Sequence, residues 1–227
     1  MTSLLEKAIS VIAPHHCFLC SKENNVLCAA CFVDVFEEPH VACFLCNKPS
    51  RDSAVCPDCA KQTSPGHVWM AAIYDGTVRT IIKAYKFDRL RAAYQPLAQA
   101  MLQALPYLPS DVVVTHIPTA PSRVRSRGYD QSLLLARAIA KDKPWAREAF
   151  LWRRHSGRQV GASRAARARQ AAQAFGLLPG AKVAGKHVLL VDDVTTSGAT
   201  LQAASKLLLD AGAARVDAVV VAKHLLR

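Results

Sequence analysis

Eight cysteines constrain this sequence more than any other feature. All of them lie between residues 17 and 59, where they form four C-x-x-C pairs. A two-residue spacer lets both thiolates of a pair reach one ion at about 2.3 Å, and two pairs complete a tetrahedron. Four pairs therefore predict two closed, structural zinc sites. Taken in chain order, their ligands are Cys17, Cys20, Cys28 and Cys31, then Cys43, Cys46, Cys56 and Cys59.

Other interpretations of the cysteines compete with this one. A cross-braced arrangement, in which the first pair shares an ion with the third, stays open on spacing alone. Disulfides are typical of exported proteins, but no signal peptide is recognisable, so we expect a cytoplasmic chain with reduced thiols. A redox C-x-x-C motif needs a βαβ context, which this region lacks. The longest apolar run, Val26–Val33, has eight residues, whereas a membrane span needs about 20, so we expect no transmembrane segment.

The remainder of the chain alternates between strand and helix patterns. The composition, 51% hydrophobic and 20% charged, is that of an ordinary globular protein. Apolar runs predict strands that alternate with amphipathic helices, which is typical of an α/β fold with a mostly parallel sheet. The predicted strands are Val68–Tyr74, Asp111–Ile117, Ala149–Trp152, His187–Val191 and Val216–Ala222.

The turn cluster at residues 63–66 suggests a division into two domains. Residues 1–65 are expected to hold a short amphipathic helix around Leu4–Ile12 and the double four-cysteine module. Residues 66–227 are expected to form the α/β domain, with further helices at 89–104, 131–141, 164–174 and 199–211.

A hydroxyl-rich turn follows the fourth predicted strand. Residues 188–200 read VLLVDDVTTSGAT, so an apolar strand runs into two carboxylates, a small turn and a helix start. A helix N-terminus offers free N–H groups and a positive dipole end, which suit a phosphate. Two carboxylates close to it can accept hydrogen bonds from a ribose diol. The pattern therefore predicts a ribose 5-phosphate site, and a merely structural capped turn is the alternative.

The charge distribution also points to an anionic ligand. The chain carries 29 basic and 17 acidic residues, a net charge of +12. Residues 120–170 alone hold 13 basic and three acidic residues, counted from the sequence. Such a segment suits a phosphorylated metabolite or a nucleic acid, although a solvated basic face has the same composition.

Residues 188–200 resemble the motif of type I phosphoribosyltransferases that binds 5-phosphoribosyl diphosphate (PRPP). The chain as a whole resembles the ComF family of competence proteins, which join an N-terminal four-cysteine zinc finger to such a domain. Further segments similar to that family are Tyr74–Gly76, Ile82–Phe87, Arg127–Ser132 and the stretch from Gln159 to Phe175. Asp130, Gln170 and Ser197 depart from the usual pattern. The expected fold is thus a type I phosphoribosyltransferase-like parallel sheet with flanking helices, preceded by a small zinc-ribbon-like module.

The resemblance implies roles for individual residues. Asp192, Asp193 and Arg127 are the implied catalytic residues. PRPP, carrying Mg²⁺, is expected to lie on the turn and on a loop between Pro118 and Gln131. The implied binding residues are Thr195, Thr196, Ser197, Gly198, Ala199, Thr200, Arg123, Arg125 and Gly128. A second loop, at about residues 153–170, is expected to cover the site.

Two functions of different class follow from the resemblance. The first is phosphoribosyl transfer from PRPP to an unidentified acceptor, in a protein that takes part in DNA uptake during natural transformation. The second is a non-catalytic module that binds single-stranded DNA and partner proteins such as the competence helicase. The sequence does not identify the acceptor.

Overall fold

A five-stranded parallel sheet forms the centre of the fold in the computed structural model, which describes residues 16–23, 25–60, 65–154 and 174–225. The strands are β1 (Val68–Ile73), β2 (Val113–His116), β3 (Ala146–Arg147), β4 (Leu151–Arg153), β5 (Phe175–Leu177), β6 (His187–Thr195) and β7 (Arg215–Lys223). The sheet order is β1–β7–β6–β2–β3, and every neighbouring pair is parallel. β4 and β5 form a separate antiparallel pair.

Helices cover both faces of this sheet, as the parallel pairing requires. They are α1 (Ala29–Val35), α2 (Pro57–Ala60), α3 (Gly76–Phe87), α4 (Tyr94–Ala104), α5 (Pro121–Arg127), α6 (Gln131–Ala140) and α7 (Ala199–Asp210). Short 3-10 turns occur at Arg51–Ser53 and Arg91–Ala93. Side-chain caps fix two helix starts, since Asp75 accepts from the N–H of Gly76 and Asp130 from that of Leu133. The predicted α/β class is confirmed.

The core consists of two apolar layers, one on each face of the sheet. Buried residues of α3, α4 and α6, such as Ile82 and Leu135, pack with Leu189 of β6 on the first face. Buried residues of α7, such as Leu201, pack with Leu190 on the second face. Successive residues of β6 thus point into opposite layers, which explains the unbroken apolar run in its sequence.

The cysteine-rich segments lie along β1, which is an edge strand of the sheet. Phe32 and Phe36, beside the first four cysteines, join the first apolar layer, whereas Phe44, between the next two, joins the second. The N–H of His40 donates to the carbonyl of Met70 at 2.9 Å. These contacts cover an apolar edge that would otherwise be open to pairing with another chain.

Strand β7 carries two buried charges near its ends. Asp217, fully buried, accepts from Arg215 Nε at 2.6 Å and from His187 Nε2 at 2.8 Å. Burial alone raises the pKa of Asp217, but these two donors hold it below its ordinary value. At the opposite end Lys223, 4% exposed, donates to the carbonyl of Thr196. Each end of β7 is therefore held by hydrogen bonds of a buried charged side chain.

Some predicted elements differ from those observed. Residues Pro121–Arg127, expected to lie in a loop, form α5, because Pro121 suits a first helical position and Gly128, at φ +86°, ends the helix. Strand β6 continues to Thr195, because its pairing with β7 extends to Lys223. Strands β3 and β5 were not predicted.

Three predictions about the fold remain untested. The amphipathic helix around Leu4–Ile12 and the helix proposed at residues 164–174 fall outside the described residues, except for Ala174. The division into domains at residue 65 stays a prediction. Among the residues that the structure describes, no helix combines the length and apolar character that a membrane crossing demands.

Candidate functional site

The eight cysteines form two separate groups of four. The first cluster contains Cys17, Cys20, Cys28 and Cys31, and the second contains Cys43, Cys46, Cys56 and Cys59. Within each cluster all four Sγ atoms lie within 4.8 Å of one another, and all eight residues are free thiols. The observed grouping is the sequential one, not the cross-braced one.

Both clusters use the same local geometry. The N–H of Cys17 donates to the carbonyl of Lys22, and that of Cys43 to the carbonyl of Lys48, both at 2.9 Å. Ser21 and Asn47, which follow the respective pairs, have positive φ angles of 58° and 59°. One cross-pair Sγ–Sγ distance is 3.6 Å in each cluster, close to the edge of about 3.8 Å that a tetrahedral Zn–S₄ site requires.

The pKa values of the cysteine thiols favour a bound cation in each cluster. Burial raises the pKa of Cys17 and Cys43, but backbone N–H donors outweigh it and bring both to about 6. In contrast, the pKa of Cys31 rises, first through its sulfur neighbour Cys28 and then through burial. Four thiolates so close together repel one another, and a divalent ion removes that repulsion. Each cluster could therefore hold a metal ion.

The predicted phosphate turn lies at the carboxyl edge of the sheet, between β6 and α7. Thr195 is buried at the end of β6, Thr196 and Ser197 are exposed, and Ala199 and Thr200, half-buried, begin α7. Gly198 occupies the N-cap position at φ +77°, and no side chain of the described residues caps its helix there. The first N–H groups of α7 therefore meet the turn without a helical partner, as an anion site requires.

Asp192 and Asp193 lie in the last part of β6, directly before the turn. Asp192 accepts from Ser132 Oγ and from the N–H of Asp193, both at 2.9 Å. Asp193 forms an ion pair with Lys86 of α3 at 2.9 Å. Burial, followed by the charge of Asp193, raises the pKa of Asp192 to about 7. The two carboxylates thus differ, since one is paired with a cation and the other is bound to a hydroxyl.

The predicted arginines divide into a half-buried residue and two exposed ones. Arg127 donates to Gln131 Oε1 at 2.9 Å and lies over the ring of Phe87 at 5.2 Å. Burial lowers its pKa, whereas the nearby charge of Asp193 acts in the opposite direction. Arg123 and Arg125 are exposed on α5, as is Gly128 after it. Arg127 therefore lies beside Phe87, whose neighbour Lys86 pairs with Asp193.

Part of the predicted covering loop also reaches this site. Arg153, in β4, lies over the Phe175 ring at 5.2 Å. Burial and then Arg123 lower its pKa, and Asp192 opposes them. Arg154, the next arginine of that loop, is exposed, and the remaining ones, Arg158, Arg164, Arg167 and Arg169, lie outside the described residues.

Several residues at the site were missed by the sequence analysis. Lys86, Ser132 and Lys223 contact the carboxylates or the turn, and Phe87 is 66% exposed beside Arg127. Lys86 and Phe87 do fall in the segment Ile82–Phe87 that resembles the ComF family, and Ser132 ends another such segment. The resemblance therefore pointed to these segments, but it did not assign a chemical role to the three residues.

Comparisons with known proteins find similar sequences. The family model described as "Phosphoribosyl transferase domain" matches residues 96–225. "DNA utilization protein YhgH" of Escherichia coli (strain K12) is 28% identical over 202 residues, covering 77% of this chain and 87% of that protein. The protein of the same name from Salmonella typhi is 28% identical over 222 residues, covering 90% and 95% respectively.

A solved structure also matches the chain. It is a hypoxanthine phosphoribosyltransferase from Staphylococcus aureus, 14% identical with a TM-score of 0.34, covering 60% of this chain and 63% of that one, less than two thirds of its length. A TM-score this low carries no further conclusion. The family match, the relatives and the two four-cysteine clusters confirm the resemblance to the ComF family. Because the family model spans more than half of its residues, the chain belongs to the phosphoribosyl transferase domain family.

Proposed function

We propose that this protein binds PRPP at the carboxyl edge of its sheet and transfers the phosphoribosyl group to an acceptor. One observation carries the proposal. Asp192 and Asp193 directly precede the uncapped start of α7, Asp193 pairs with Lys86, and the guanidinium of Arg127 lies over the ring of the adjacent residue Phe87. An anion site, acceptors for a diol and a cation are the three kinds of group that PRPP needs.

We assign a partner to each part of PRPP. The N–H groups at the start of α7 and the hydroxyls of Thr196 and Ser197 would hold the 5-phosphate. Asp192 and Asp193 would accept hydrogen bonds from the ribose hydroxyls. Arg127, with Arg123 and Arg125, would bind the pyrophosphate, because a guanidinium fork reaches two oxygens at once. Mg²⁺, bound to the pyrophosphate, would neutralise part of its charge.

The charges at the site suit the transfer step. The bond between ribose C1 and the pyrophosphate oxygen breaks, and its electron pair leaves with pyrophosphate, while a lone pair of the acceptor forms the new bond to C1. Positive charge develops on the ribose and negative charge on the leaving group. The carboxylates would stabilise the first and Arg127 the second, because preorganised charges act strongly in a partly buried site.

Removing either carboxylate tests the binding proposal. We expect Asp192→Ala or Asp193→Ala to weaken PRPP–Mg binding by about 1–3 kcal/mol, the cost of losing hydrogen bonds to a charged group. Isothermal titration of the zinc-loaded protein measures this directly. Asp210→Ala is the matched control, since Asp210 is an exposed carboxylate on α7 that pairs with Lys206. Unchanged affinity in both site variants would show that the two acids serve the fold alone.

Turnover is tested separately from binding. The zinc-loaded protein is given PRPP–Mg and a panel of nucleobases, and pyrophosphate release is recorded. Release with one class of base identifies the acceptor. PRPP binding without release would favour the non-catalytic module over the transferase.

We further propose that each four-cysteine cluster holds a structural zinc ion. The donor set, the sequential grouping and the Sγ–Sγ distances all suit zinc, and four protein ligands leave no open position for catalysis. Elemental analysis of the purified protein should give two equivalents of zinc per chain. Cys20→Ser and Cys46→Ser should each remove one equivalent, whereas a single equivalent in the unaltered protein would contradict the proposal.

The alternative function, binding of single-stranded DNA, has an observation of its own. Two arginines lie over exposed rings: Arg127 over Phe87, and Arg154 over Trp152 at 5.8 Å. Cations together with exposed aromatic rings are typical of surfaces that bind single strands. The relatives' name, DNA utilization protein, is consistent with a role in DNA uptake, in which the competence helicase is a candidate partner.

A salt titration tests this alternative. We expect weak binding of an oligothymidylate that falls steeply with salt, because charge rather than stacking supplies most of the affinity. Arg125→Ala should reduce the slope of log K against log salt by about 1. Lys141→Ala is the control, since Lys141 is exposed at the far end of α6. Binding that ignores salt, or equal slopes in the two variants, would place the DNA surface elsewhere.

A further inference from the structure

The tetrapeptide Cys-Phe-Leu-Cys occurs twice in the chain, and its two copies have different surroundings. In the first cluster, Phe18 is 40% exposed and Leu19 is 47% exposed. In the second cluster, Phe44 is fully buried and Leu45 is partly buried. The backbone hydrogen bonds of the two copies are alike, as described above. The difference therefore arises from what the second copy packs against.

The second copy packs directly against the predicted phosphate turn. A Cβ atom placed on Gly198 would lie 2.4 Å from Phe44 Cε2 and 2.9 Å from Leu45 Cδ2. Real Cβ atoms do not approach other heavy atoms so closely, so Gly198 is needed here for space as well as for its positive φ. The turn and the Phe44–Leu45 pair therefore share one packed contact.

The position of Phe44 and Leu45 depends on the second cluster, since both residues lie between Cys43 and Cys46. A metal ion that binds both sulfurs fixes the ends of this short segment. The ammonium of Lys223 also holds the turn, because it donates to the carbonyl of Thr196.

We propose that the second four-cysteine cluster positions the phosphate turn, so that a metal ion there and a phosphate ester on the turn strengthen each other's binding. Phe44 and Leu45 are the positioning residues that transmit this effect. Within the part of the chain that the structure describes, the first cluster, whose Phe18 and Leu19 are exposed, has no such contact to transmit. The inference rests on the proposed function, because it assumes that the turn takes a phosphate.

Matched substitutions in the two copies test the proposal. The full, zinc-loaded chain is titrated with ribose 5-phosphate, which carries the phosphate but no pyrophosphate. Phe44→Leu and Leu45→Ala should each weaken binding by about fivefold or more, within the range usual for coupled sites. Phe18→Leu and Leu19→Ala should leave the affinity unchanged. Equal effects in the two copies would overturn the proposal.

Zinc affinity provides a readout that a purely structural role would not alter. By linkage, saturating ribose 5-phosphate must raise the zinc affinity of the second cluster by the same factor by which zinc raises the sugar phosphate's affinity. A competing chelator measures this in Cys20→Ser, which keeps the second cluster, and in Cys46→Ser, which keeps the first. A gain confined to Cys20→Ser supports the proposal, and equal gains or none contradict it.

A third measurement separates this inference from the proposed function. Amide hydrogen exchange at residues 195–200 should rise in Cys46→Ser and not in Cys20→Ser, without any ligand present. If the unaltered protein failed to bind ribose 5-phosphate but exchange rose as expected, the proposed function would be wrong and the positioning would stand. Unchanged exchange in Cys46→Ser would refute the positioning itself.

Discussion

Gly198→Ala is expected to lower the free energy of unfolding by about 2–5 kcal/mol. An alanine at φ +77° pays about 1–2 kcal/mol for a left-handed backbone. Its Cβ would also overlap Phe44 and Leu45, and forcing an extra methyl group into a packed contact costs about 1–3 kcal/mol more. Denaturant unfolding of the zinc-loaded chain measures the total.

Gly185→Ala separates the two contributions. Gly185 has φ +73°, and a Cβ placed on it would meet nothing within 4 Å among the described residues. This variant should therefore lose only the backbone part, about 1–2 kcal/mol. If both variants lost the same free energy, the contact between the turn and the second cluster would contribute nothing to stability.

Asp192→Asn is expected to become more stable relative to the unaltered protein as the pH rises from 5 to 7. The pKa of Asp192 is raised from 3.8 to about 7 in the folded protein, first by burial and then by Asp193. Between these values the native state holds a proton that the unfolded state has released. The stability due to this group is therefore fully present below pH 4 and is lost as the pH rises through 7.

The size of this pH effect on stability follows from the same linkage. The stability difference between Asp192→Asn and the unaltered protein should grow by about 1 kcal/mol per pH unit between pH 5 and pH 7 and level off above that. Groups such as Asp217, whose pKa shifts in the opposite direction, are present in both proteins and cancel in the difference. Urea unfolding at a series of pH values gives the curve, and Asp210→Asn serves as the exposed control. A pH-independent difference would mean that Asp192 is ionised throughout.

Local patterns predicted the parts of this molecule whose chemistry is contained within a few neighbouring residues. The two-residue spacer between Cys43 and Cys46 already lets both sulfurs reach one metal ion. Likewise, the run from Asp192 to Thr200 holds carboxylates, hydroxyls and a helix start within one short stretch. Both features could be recognised without knowing the fold.

Contacts between distant segments were beyond the reach of such patterns. Ser132 and Asp192 are separated by 60 positions and meet only because α6 packs beside β6. Phe18 and Phe44 occur in identical tetrapeptides, yet Phe18 is exposed and Phe44 is buried. Phe44 is buried because it packs against the turn at Gly198. The segment around Arg125, predicted to be a loop, is helical, because Pro121 starts the helix and Gly128 ends it.

The two buried charges of β7 bear on how the chain avoids misfolding. Between Asp217 and Lys223 the strand contains only valine and alanine, and it is buried on both faces, so its apolar side chains distinguish slipped pairings weakly. Asp217 and Lys223 are six positions apart and therefore project on the same side of the strand. A slip of β7 by one residue would separate Asp217 from His187 of β6 and Lys223 from the carbonyl of Thr196, while Arg215, on the same strand, would move with Asp217. Leaving the buried ammonium without its acceptor costs several kcal/mol. The buried carboxylate and ammonium thus help to select the correct register of β7 while the sheet assembles.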